Sequence, residues 1–475
     1  MAHHRIFAKL PFLSFRRSIR LRWWLVVTIL CLAGLRLVAG TSLANPLNRR
    51  NPTGVLSTYS TGGGVDLTNP FFQSLGSNGR SCASCHQPAD AWSVAPPHIR
   101  ERFERSNGTD PIFRSVDGSN CPSADVSSYR ARKSAYSLLL SKGLIRVSLP
   151  VPSDADFTIT QIQDPYTCLE TTATRPAMYR RPLPATNLHF LSAVMWDGRE
   201  TVPGRIPGKS INLTQSLINQ GIDATLGHAQ AVNPPSAQQV ARIVAFETAL
   251  YTAQAYDQDA GSLTARGAIG GPMALAGQPF YIGINDALGG DPNHALFNPN
   301  AFRLYDNWAR TKTRPKRQAV ARGQTLFNTL PIAITDVGGL NDALGLPVIN
   351  GTCTTCHDSP NVGNHSFSVP LNIGTTAYPA VPALDITGLP IYTIQCSNGT
   401  SIQVTDPGRA MISGKCADVG KVKGPILRGL AGRAPFFHNG GAAQLEDVVD
   451  FYNERFNLNL TEEQKSDLVA FLRTL

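Results

Sequence analysis

The sequence is poor in charge: only 16% of its 475 residues are charged, whereas 42% are hydrophobic. This balance excludes a chain dominated by disorder, and the length allows two or three domains. Acidic residues are missing from residues 1–44, which contain seven basic residues. Without those seven, 36 basic residues remain against 33 acidic ones, a surplus of three. We therefore predict no nucleic-acid partner.

The basic N-terminal stretch has the pattern of an export signal. An apolar run covers residues 23–39, and the small residues Ser42, Leu43 and Ala44 follow it. This order predicts cleavage after Ala44 and a location in the periplasm. The run is about 17 residues long and contains Arg36, which is at the lower limit for crossing a bilayer. An uncleaved anchor in the inner membrane is therefore the alternative.

The nine cysteines fall into three groups. Cys31 lies in the predicted signal, and four cysteines belong to two Cys-x-x-Cys-His pentads at 82–86 and 353–357. The other four are Cys121, Cys168, Cys396 and Cys416. An oxidising compartment allows these four to form disulfides in any of three pairings. Proximity in sequence favours Cys121 with Cys168 and Cys396 with Cys416, and buried free thiols are the alternative.

The two pentads predict covalently bound haem. In this pattern the two thiols add across the haem vinyl groups, and the histidine coordinates the iron. One such pentad can arise by chance or serve zinc, but two in an exported chain are specific. We therefore predict two haem c groups, attached at the residues of the two pentads: Cys82, Cys85, His86, Cys353, Cys356 and His357.

Helical patterns outnumber strand patterns along the chain. Residues 236–254, with Ser236 as N-cap, form the clearest amphipathic helix, and 318–327, 445–456 and 461–475 are also predicted to be helical. Thr461 to Gln464 has the pattern of a capping box. Because convincing alternating strands are scarce, we predict a mainly α fold with two cytochrome c-like haem domains and long irregular loops.

The positions of the pentads define the predicted domains. After the export signal at 1–44, we place an N-terminal cytochrome c-like domain at 45–256 and a C-terminal one at 311–475. Between them, residues 257–310 are rich in Gly and Pro and indicate an insertion or linker.

Three further segments carry a family resemblance. They are Met195-Trp196-Asp197-Gly198-Arg199, Lys423 to Arg428, and Ala434 to Gly440, which contains Pro-Phe-Phe-His-Asn-Gly. Together with the two pentads, in this order, they resemble the bacterial di-haem cytochrome c peroxidases and the MauG-type di-haem enzymes. The resemblance covers the chain from about residue 69 to residue 475.

The resemblance implies a division of labour between the haems. Peroxide reacts at the N-terminal haem, the C-terminal haem relays electrons, and Trp196 matches the tryptophan between them. Gln220 is the best match to a glutamine that handles peroxide protons. The family's glutamate is missing here, and His228 stands near its place. A histidine can transfer protons near neutral pH, so Trp196, Gln220 and His228 are the predicted catalytic residues.

The resemblance also suggests the sixth ligands of the irons. The peroxidases place a methionine fourteen residues beyond the histidine of Pro-Phe-Phe-His, whereas MauG-type enzymes place a tyrosine there. In this chain that position is Tyr452, and Met411 is the alternative ligand. No methionine is expected at the N-terminal haem. His98 is the nearby residue able to close that site, but we expect it on an exposed loop.

A calcium site between the haems is also implied by the family, but two of its positions differ here. The family's asparagine corresponds to Pro182, and its threonine corresponds to Arg433. Proline has no side-chain oxygen, and a guanidinium repels a divalent cation. We therefore expect a weakened or absent calcium site, with Arg433 supplying the positive charge instead.

These features favour reduction of hydrogen peroxide at the N-terminal haem. Electrons would come from a small periplasmic donor, a cytochrome c or a cupredoxin, through the C-terminal haem. Two alternatives remain: MauG-like, peroxide-dependent oxidation of a protein or organic substrate, and electron transfer without catalysis. The sequence leaves a homodimer open.

Overall fold

The structure is a computed structural model that describes residue 1 and residues 42–205, 210–311 and 314–475. Nearly all of the predicted export signal, including the alternative membrane anchor, lies outside the described residues. Within the described residues, no helix has both the length and the apolar character needed to cross a membrane.

Twelve α-helices lie in the described residues. They are α1 Pro96–Ser106, α2 Tyr129–Ala135, α3 Ser137–Lys142, α4 Leu213–Gly227, α5 Ala237–Thr248, α6 Gly271–Ala276, α7 Asp306–Arg310, α8 Pro315–Thr329, α9 Asn341–Leu344, α10 Ala410–Ser413, α11 Leu445–Arg455 and α12 Glu462–Leu472.

Thirteen strands accompany these helices in the described residues. They are β1 Ser42–Leu43, β2 Leu47–Asn51, β3 Gly54–Ser60, β4 Val65–Asp66, β5 Ile145–Ser148, β6 Phe157–Gln163, β7 Ala177–Arg180, β8 Leu250–Asp257, β9 Gly261–Ser262, β10 Ile332–Thr335, β11 Val348–Gly351, β12 Ile391–Cys396 and β13 Ser401–Val404.

The prediction of a mainly α fold is wrong. The described part of the chain is mixed α/β, with about 31% of its residues in helices and 17% in strands. The strands escape sequence patterning because most are short and pair with distant partners. Strand β6 of the N-terminal half, for example, pairs with β12, more than 200 residues further along the chain. Such long-range pairing is decided by tertiary contacts rather than by local propensity.

The helix predicted over residues 236–254 is shorter in the structure, because its last residues belong to strand β8. Ser236 caps α5 as predicted, because its side chain accepts a hydrogen bond from the backbone N–H of Gln239. The helix ends at Thr248, however, and the last predicted helical residues, 250–254, belong to β8. This strand is central in a sheet of order β2-β3-β8-β9, and most of it is buried. A strand buried on both faces lacks the alternation that identifies strands in sequence.

The other helix predictions are confirmed. Helix α8 covers the predicted segment 318–327, and α11 and α12 match the other two except at their ends, since α11 ends at Arg455 and α12 at Leu472. Thr461 caps α12 and forms the predicted capping box with Gln464.

The Gly- and Pro-rich segment at 257–310 packs into the core of the C-terminal half. Its buried residues Phe302, Tyr305 and Trp308 join one hydrophobic cluster with residues of α8 and α12. The rings of Tyr305 and Trp308 stack with their centroids 4.7 Å apart. The predicted domain boundaries stay predictions, but this segment contributes apolar side chains to the core.

The predicted disulfide pairing is confirmed. Cys121 bonds to Cys168, and Cys396 bonds to Cys416. The four pentad cysteines remain free.

Candidate functional site

The first pentad begins with a short 3₁₀ turn, Cys82–Ser84. The backbone N–H of Ser81 donates to the hydroxyl of Ser84 (3.0 Å), and the N–H of His86 donates to the carbonyl of Cys82 (3.0 Å). The Nδ1 atom of His86 lies 2.9 Å from the carbonyl oxygen of Trp92. A proton on Nδ1 makes this a hydrogen bond and leaves the lone pair of Nε2 for a metal ion.

The second pentad repeats this geometry. Its 3₁₀ turn is Cys353–Thr355, and the N–H of His357 donates to the carbonyl of Cys353 (3.1 Å). The Nδ1 atom of His357 lies 2.6 Å from the carbonyl oxygen of Gly363. In both pentads the acceptor is six residues beyond the histidine, so both imidazoles are oriented by the same local design.

Burial sets the protonation states at these pentads. It raises the pKa of the Cys353 thiol to about 12, and that of Cys356 to about 12. It also lowers the pKa of His357 to about 4 and shifts the pKa of His86 downward. Both imidazoles are therefore neutral near pH 7, which is the form that binds iron.

The first pentad lines a cavity, which we call the N-terminal cavity. The predicted residues Gln220 and His228 also line it, Gln220 from helix α4 and His228 from the C-terminal end of that helix. Met195, which the sequence did not suggest for this site, lines it as well. The fold therefore brings both predicted proton-handling residues to the cavity of His86.

His228 belongs to a small charged network. Its Nδ1 atom forms a close contact with the carboxylate of Asp117, which also pairs with the guanidinium of Arg80 at 2.5 Å. Although burial opposes ionisation, His228 and Arg80 hold the pKa of Asp117 below its ordinary value. The Asp117 carboxylate therefore fixes the orientation of the His228 ring.

The second pentad lines a separate cavity, which we call the C-terminal cavity. Tyr452 also lines this cavity, and burial raises the pKa of its phenol. Met411 is buried but is not among the residues found to line either cavity in the described part of the chain. The geometry thus favours Tyr452 over Met411 as a ligand in this cavity.

His98 lies on helix α1 rather than on the exposed loop that we expected. Its Nδ1 atom pairs with the carboxylate of Asp90 at 2.5 Å, and its side chain is 45% exposed. It is not among the residues lining the N-terminal cavity. His98 is therefore engaged elsewhere and does not close that site in this structure.

Trp196 lines both cavities and is buried. Its indole Nε1 donates to the carbonyl oxygen of Arg181 (2.8 Å), and its own carbonyl accepts from the N–H of Lys423 (2.8 Å). Its ring meets the imidazole of His438 edge to face, with centroids 6.1 Å apart. The indole is therefore part of the wall that the two cavities share.

The residues after Trp196 are fixed by buried ion pairs. Asp197 pairs with Arg180 at 2.5 Å and with Arg199 at 2.9 Å, and Arg180 also pairs with Asp406 at 2.7 Å. These two arginines and two aspartates balance in charge. The network connects the Trp-Asp-Gly-Arg segment to the C-terminal half, which holds the indole in place.

Glu247 is a site residue that sequence reasoning missed. It lines the N-terminal cavity, and burial raises the pKa of its carboxyl to about 8. The signal was available, because Glu247 interrupts the apolar face formed by Val240, Ile243 and Val244 on helix α5. An acidic residue on a buried helix face is rare without a function or a partner.

The two positions that depart from the family's calcium site also line both cavities. They are Pro182 and Arg433. The Arg433 guanidinium is buried and donates to the carbonyls of Ile426 (2.7 Å) and Arg428 (3.1 Å). In the described residues, no group of three or more His, Cys, Asp or Glu side chains could hold a metal ion. The expectation of a weakened calcium site stays a prediction.

The donor sets fit haem c. Each cavity has two thiols on one turn and an imidazole whose Nε2 is left for iron, and each is otherwise lined mainly by apolar side chains. This is the arrangement of c-type cytochromes. The site is therefore of the class found in c-type cytochromes: two candidate haem cavities whose shared wall contains Trp196.

Part of the sequence is similar to known cytochrome-c peroxidases. The chain is 36% identical over 138 residues to the cytochrome-c peroxidase IdrP2 of Denitromonas iodatirespirans, covering 26% of this chain and 36% of that protein. It is 30% identical over 129 residues to the cytochrome c551 peroxidase of Nitrosomonas europaea, covering 26% of this chain and 30% of that protein. No protein-family model matches the sequence. These similarities confirm the predicted resemblance to the cytochrome c peroxidases, although the matches span only about a third of those relatives' length.

Among solved structures, a MauG-like protein associated with microbial copper homeostasis aligns over 86% of both chains. The sequence identity is 16% and the TM-score is 0.37.

Proposed function

We propose that this chain is a di-haem oxidoreductase that reduces hydrogen peroxide at the haem of the N-terminal cavity. The observation that carries this proposal is Trp196, which lines both cavities and whose backbone and side chain are both hydrogen-bonded. Similarity to cytochrome-c peroxidases supports the same activity. The reaction consumes one peroxide, two electrons and two protons and releases two water molecules.

Two covalently bound haems would supply the redox chemistry, and the chain's own residues would control it. Cys82, Cys85 and His86 would hold the first haem, and Cys353, Cys356 and His357 would hold the second. The hydrogen bonds to the carbonyls of Trp92 and Gly363 orient the two imidazoles. Tyr452 is the sixth ligand that we propose for the second iron.

Gln220 and His228 are proposed to handle the protons. Cleavage of the peroxide O–O bond requires proton transfer at both oxygen atoms. The oxygen next to the haem loses a proton, and the oxygen that leaves as water gains one. His228 is the imidazole proposed to exchange the proton, because it lines the N-terminal cavity and Asp117 orients its ring. Gln220 cannot ionise, so its role is to position peroxide or water by hydrogen bonds.

The electrons would come from a small periplasmic donor, either a cytochrome c or a cupredoxin. They would enter through the C-terminal haem and pass Trp196. Two further arrangements are to be tested: an N-terminal anchor in the inner membrane and a homodimer.

The test begins with the purified holoprotein. A pyridine haemochrome assay should give two haems per chain, and a denaturing gel should retain both. Reduced cytochrome c should then be oxidised when peroxide is added, in a two-to-one ratio. One haem per chain, or two low-spin haems by EPR that do not respond to peroxide, would contradict the proposal; the second result would favour electron transfer without catalysis.

A second candidate function is the MauG-like oxidation of a protein or organic substrate. The observation that favours it is Tyr452 in the C-terminal cavity, where the peroxidases use methionine. The two functions differ in their electron source. If peroxide oxidises a phenolic test substrate faster than it oxidises reduced cytochrome c, the second function is supported.

A further inference from the structure

Three buried cationic side chains line both cavities: Arg181, Lys423 and Arg433. Their exposed fractions lie between 5% and 9%. Burying a cation without a counter-charge is costly, so such groups are normally paired with carboxylates. A cluster of three at the wall between two cavities therefore needs an explanation.

The three cations contact backbone carbonyls instead of carboxylates. Arg181 donates to the carbonyls of Val94 (2.6 Å), Lys142 (2.8 Å) and Arg433 (3.0 Å). The Lys423 ammonium has three N–H groups and donates to the carbonyl of Ala193 at 3.0 Å. None of the three has a carboxylate ion pair among the described residues, whereas the adjacent Arg180 network is balanced.

Mutual repulsion adds to the cost of burial. Desolvation, and then the neighbouring charge of Arg433, lower the pKa of Lys423 to about 7 and that of Arg181 to about 9. The polypeptide alone therefore leaves an excess of positive charge at this wall. An anion bound there would offset both costs.

His438 gives an independent indication of a ligand. Its side chain is 1% exposed and lines the C-terminal cavity. Both ring nitrogens lack a hydrogen-bond partner within the described structure, and the carboxylate of Asp406 is 3.8 Å from Nε2. Buried ring nitrogens without partners are rare in folded proteins. A hydrogen-bonding group inside the cavity would satisfy them.

We propose that Arg181, Lys423 and Arg433 form one carboxylate-binding site shared by both cavities, that His438 completes it on the side of the C-terminal cavity, and that its ligands are the propionates of the two haems. This inference rests on the proposed binding of two haems. Haem carries two propionates, which are the only carboxylates at its edge. The shared position of the cations means that both haems would direct their propionate edges toward Trp196, with side chains rather than a divalent metal ion supplying the positive charge.

The charges of the three cations should affect the reduction potentials of both haems. A positive charge beside a haem favours the reduced state, so removing one should lower the reduction potential. Because the cations line both cavities, one substitution should shift both haems. A residue serving only the packing of one domain would not do this.

The experiment uses the holoprotein and its Arg433→Gln and Arg433→Lys variants, with spectroelectrochemistry as the readout. We expect Arg433→Gln to lower the potentials of both haems and Arg433→Lys to restore most of the loss. The matched control is Arg146→Gln, because Arg146 is also buried and bonded to backbone carbonyls but lines neither cavity. The control should leave both potentials unchanged.

Chelation provides a second test on the unmodified protein. The wild-type potentials should be the same with EGTA as with added calcium, and metal analysis should find no bound calcium. A potential that falls on chelation would overturn the proposal, as would Arg433→Gln potentials equal to wild type or a shift confined to one haem. The pyridine haemochrome assay separates these outcomes from failure of the proposed function, since it reports haem binding independently of the potentials.

Discussion

The indole Nε1 of Trp196 donates a 2.8 Å hydrogen bond to the carbonyl oxygen of Arg181, and both residues line both cavities. The bond fixes the ring in the wall that the two cavities share. It also means that an aromatic group and a buried cation share one wall.

Trp196→Phe should slow electron transfer between the haems. It removes the indole and leaves the Arg181 carbonyl without its donor, which should destabilise the fold by about 1–3 kcal/mol. Haem content should not change, because attachment depends on the pentads. Stopped-flow spectroscopy after peroxide addition measures the transfer rate. Trp308→Phe is the control, since Trp308 is another buried tryptophan that donates to a carbonyl (2.9 Å) but lines neither cavity. Equal rates in the two variants would show that Trp196 only packs.

Tyr452→Met should raise the reduction potential of one haem and change its absorption spectrum. A phenolate stabilises ferric iron, whereas a thioether stabilises ferrous iron. Met411→Leu should change neither property, because Met411 lies outside the cavity linings. The measurement is a redox titration followed at the Soret band. A shift seen in Met411→Leu alone would identify Met411 as the ligand.

Glu247→Gln should have a higher free energy of unfolding than the wild type, and this difference should grow as the pH rises. The folded-state pKa of Glu247 is raised to about 8 from 4.5, so the folded state holds a proton that the unfolded state loses above pH 4.5. Wild-type stability therefore falls between about pH 4.5 and pH 8, and the full penalty, on the order of 5 kcal/mol, is present above that range.

Urea unfolding of the wild type and Glu247→Gln at pH 5 and pH 9 measures this difference. Glu170→Gln, at an exposed position, is the control and should give the same stability as wild type at both values. If the difference in the free energy of unfolding between wild type and Glu247→Gln were the same at pH 5 and pH 9, the prediction would be refuted.

The two disulfides should contribute unequally to stability. Cys121–Cys168 closes a loop with a sequence separation of 47, and Cys396–Cys416 one of 20. Loop-closure entropy predicts that replacing the first pair by serines costs about 4 kcal/mol and the second about 3 kcal/mol. Denaturant titration of the two double variants gives the comparison. A larger loss from the shorter loop would mean that native-state contacts outweigh chain entropy.

Residues close together in sequence could be assigned without the structure. Each pentad places two thiols and an imidazole on one short turn, so its chemistry is encoded in five consecutive residues. The caps of α5 and α12, at Ser236 and Thr461, are likewise local and were predicted correctly. Both disulfide pairings followed from proximity along the chain.

What the sequence alone could not decide depends on contacts between distant segments. The pairing of β6 with β12 and the turn from helix α5 into β8 follow from tertiary packing, which overrides local propensity. The same holds for the burial of Glu247 and for the meeting of Arg181 with Lys423, Arg433 and His438, which lie in a distant part of the chain. Burial and the shared cavity wall arise only when the chain folds, because a side chain's solvation and its neighbours are properties of the folded structure.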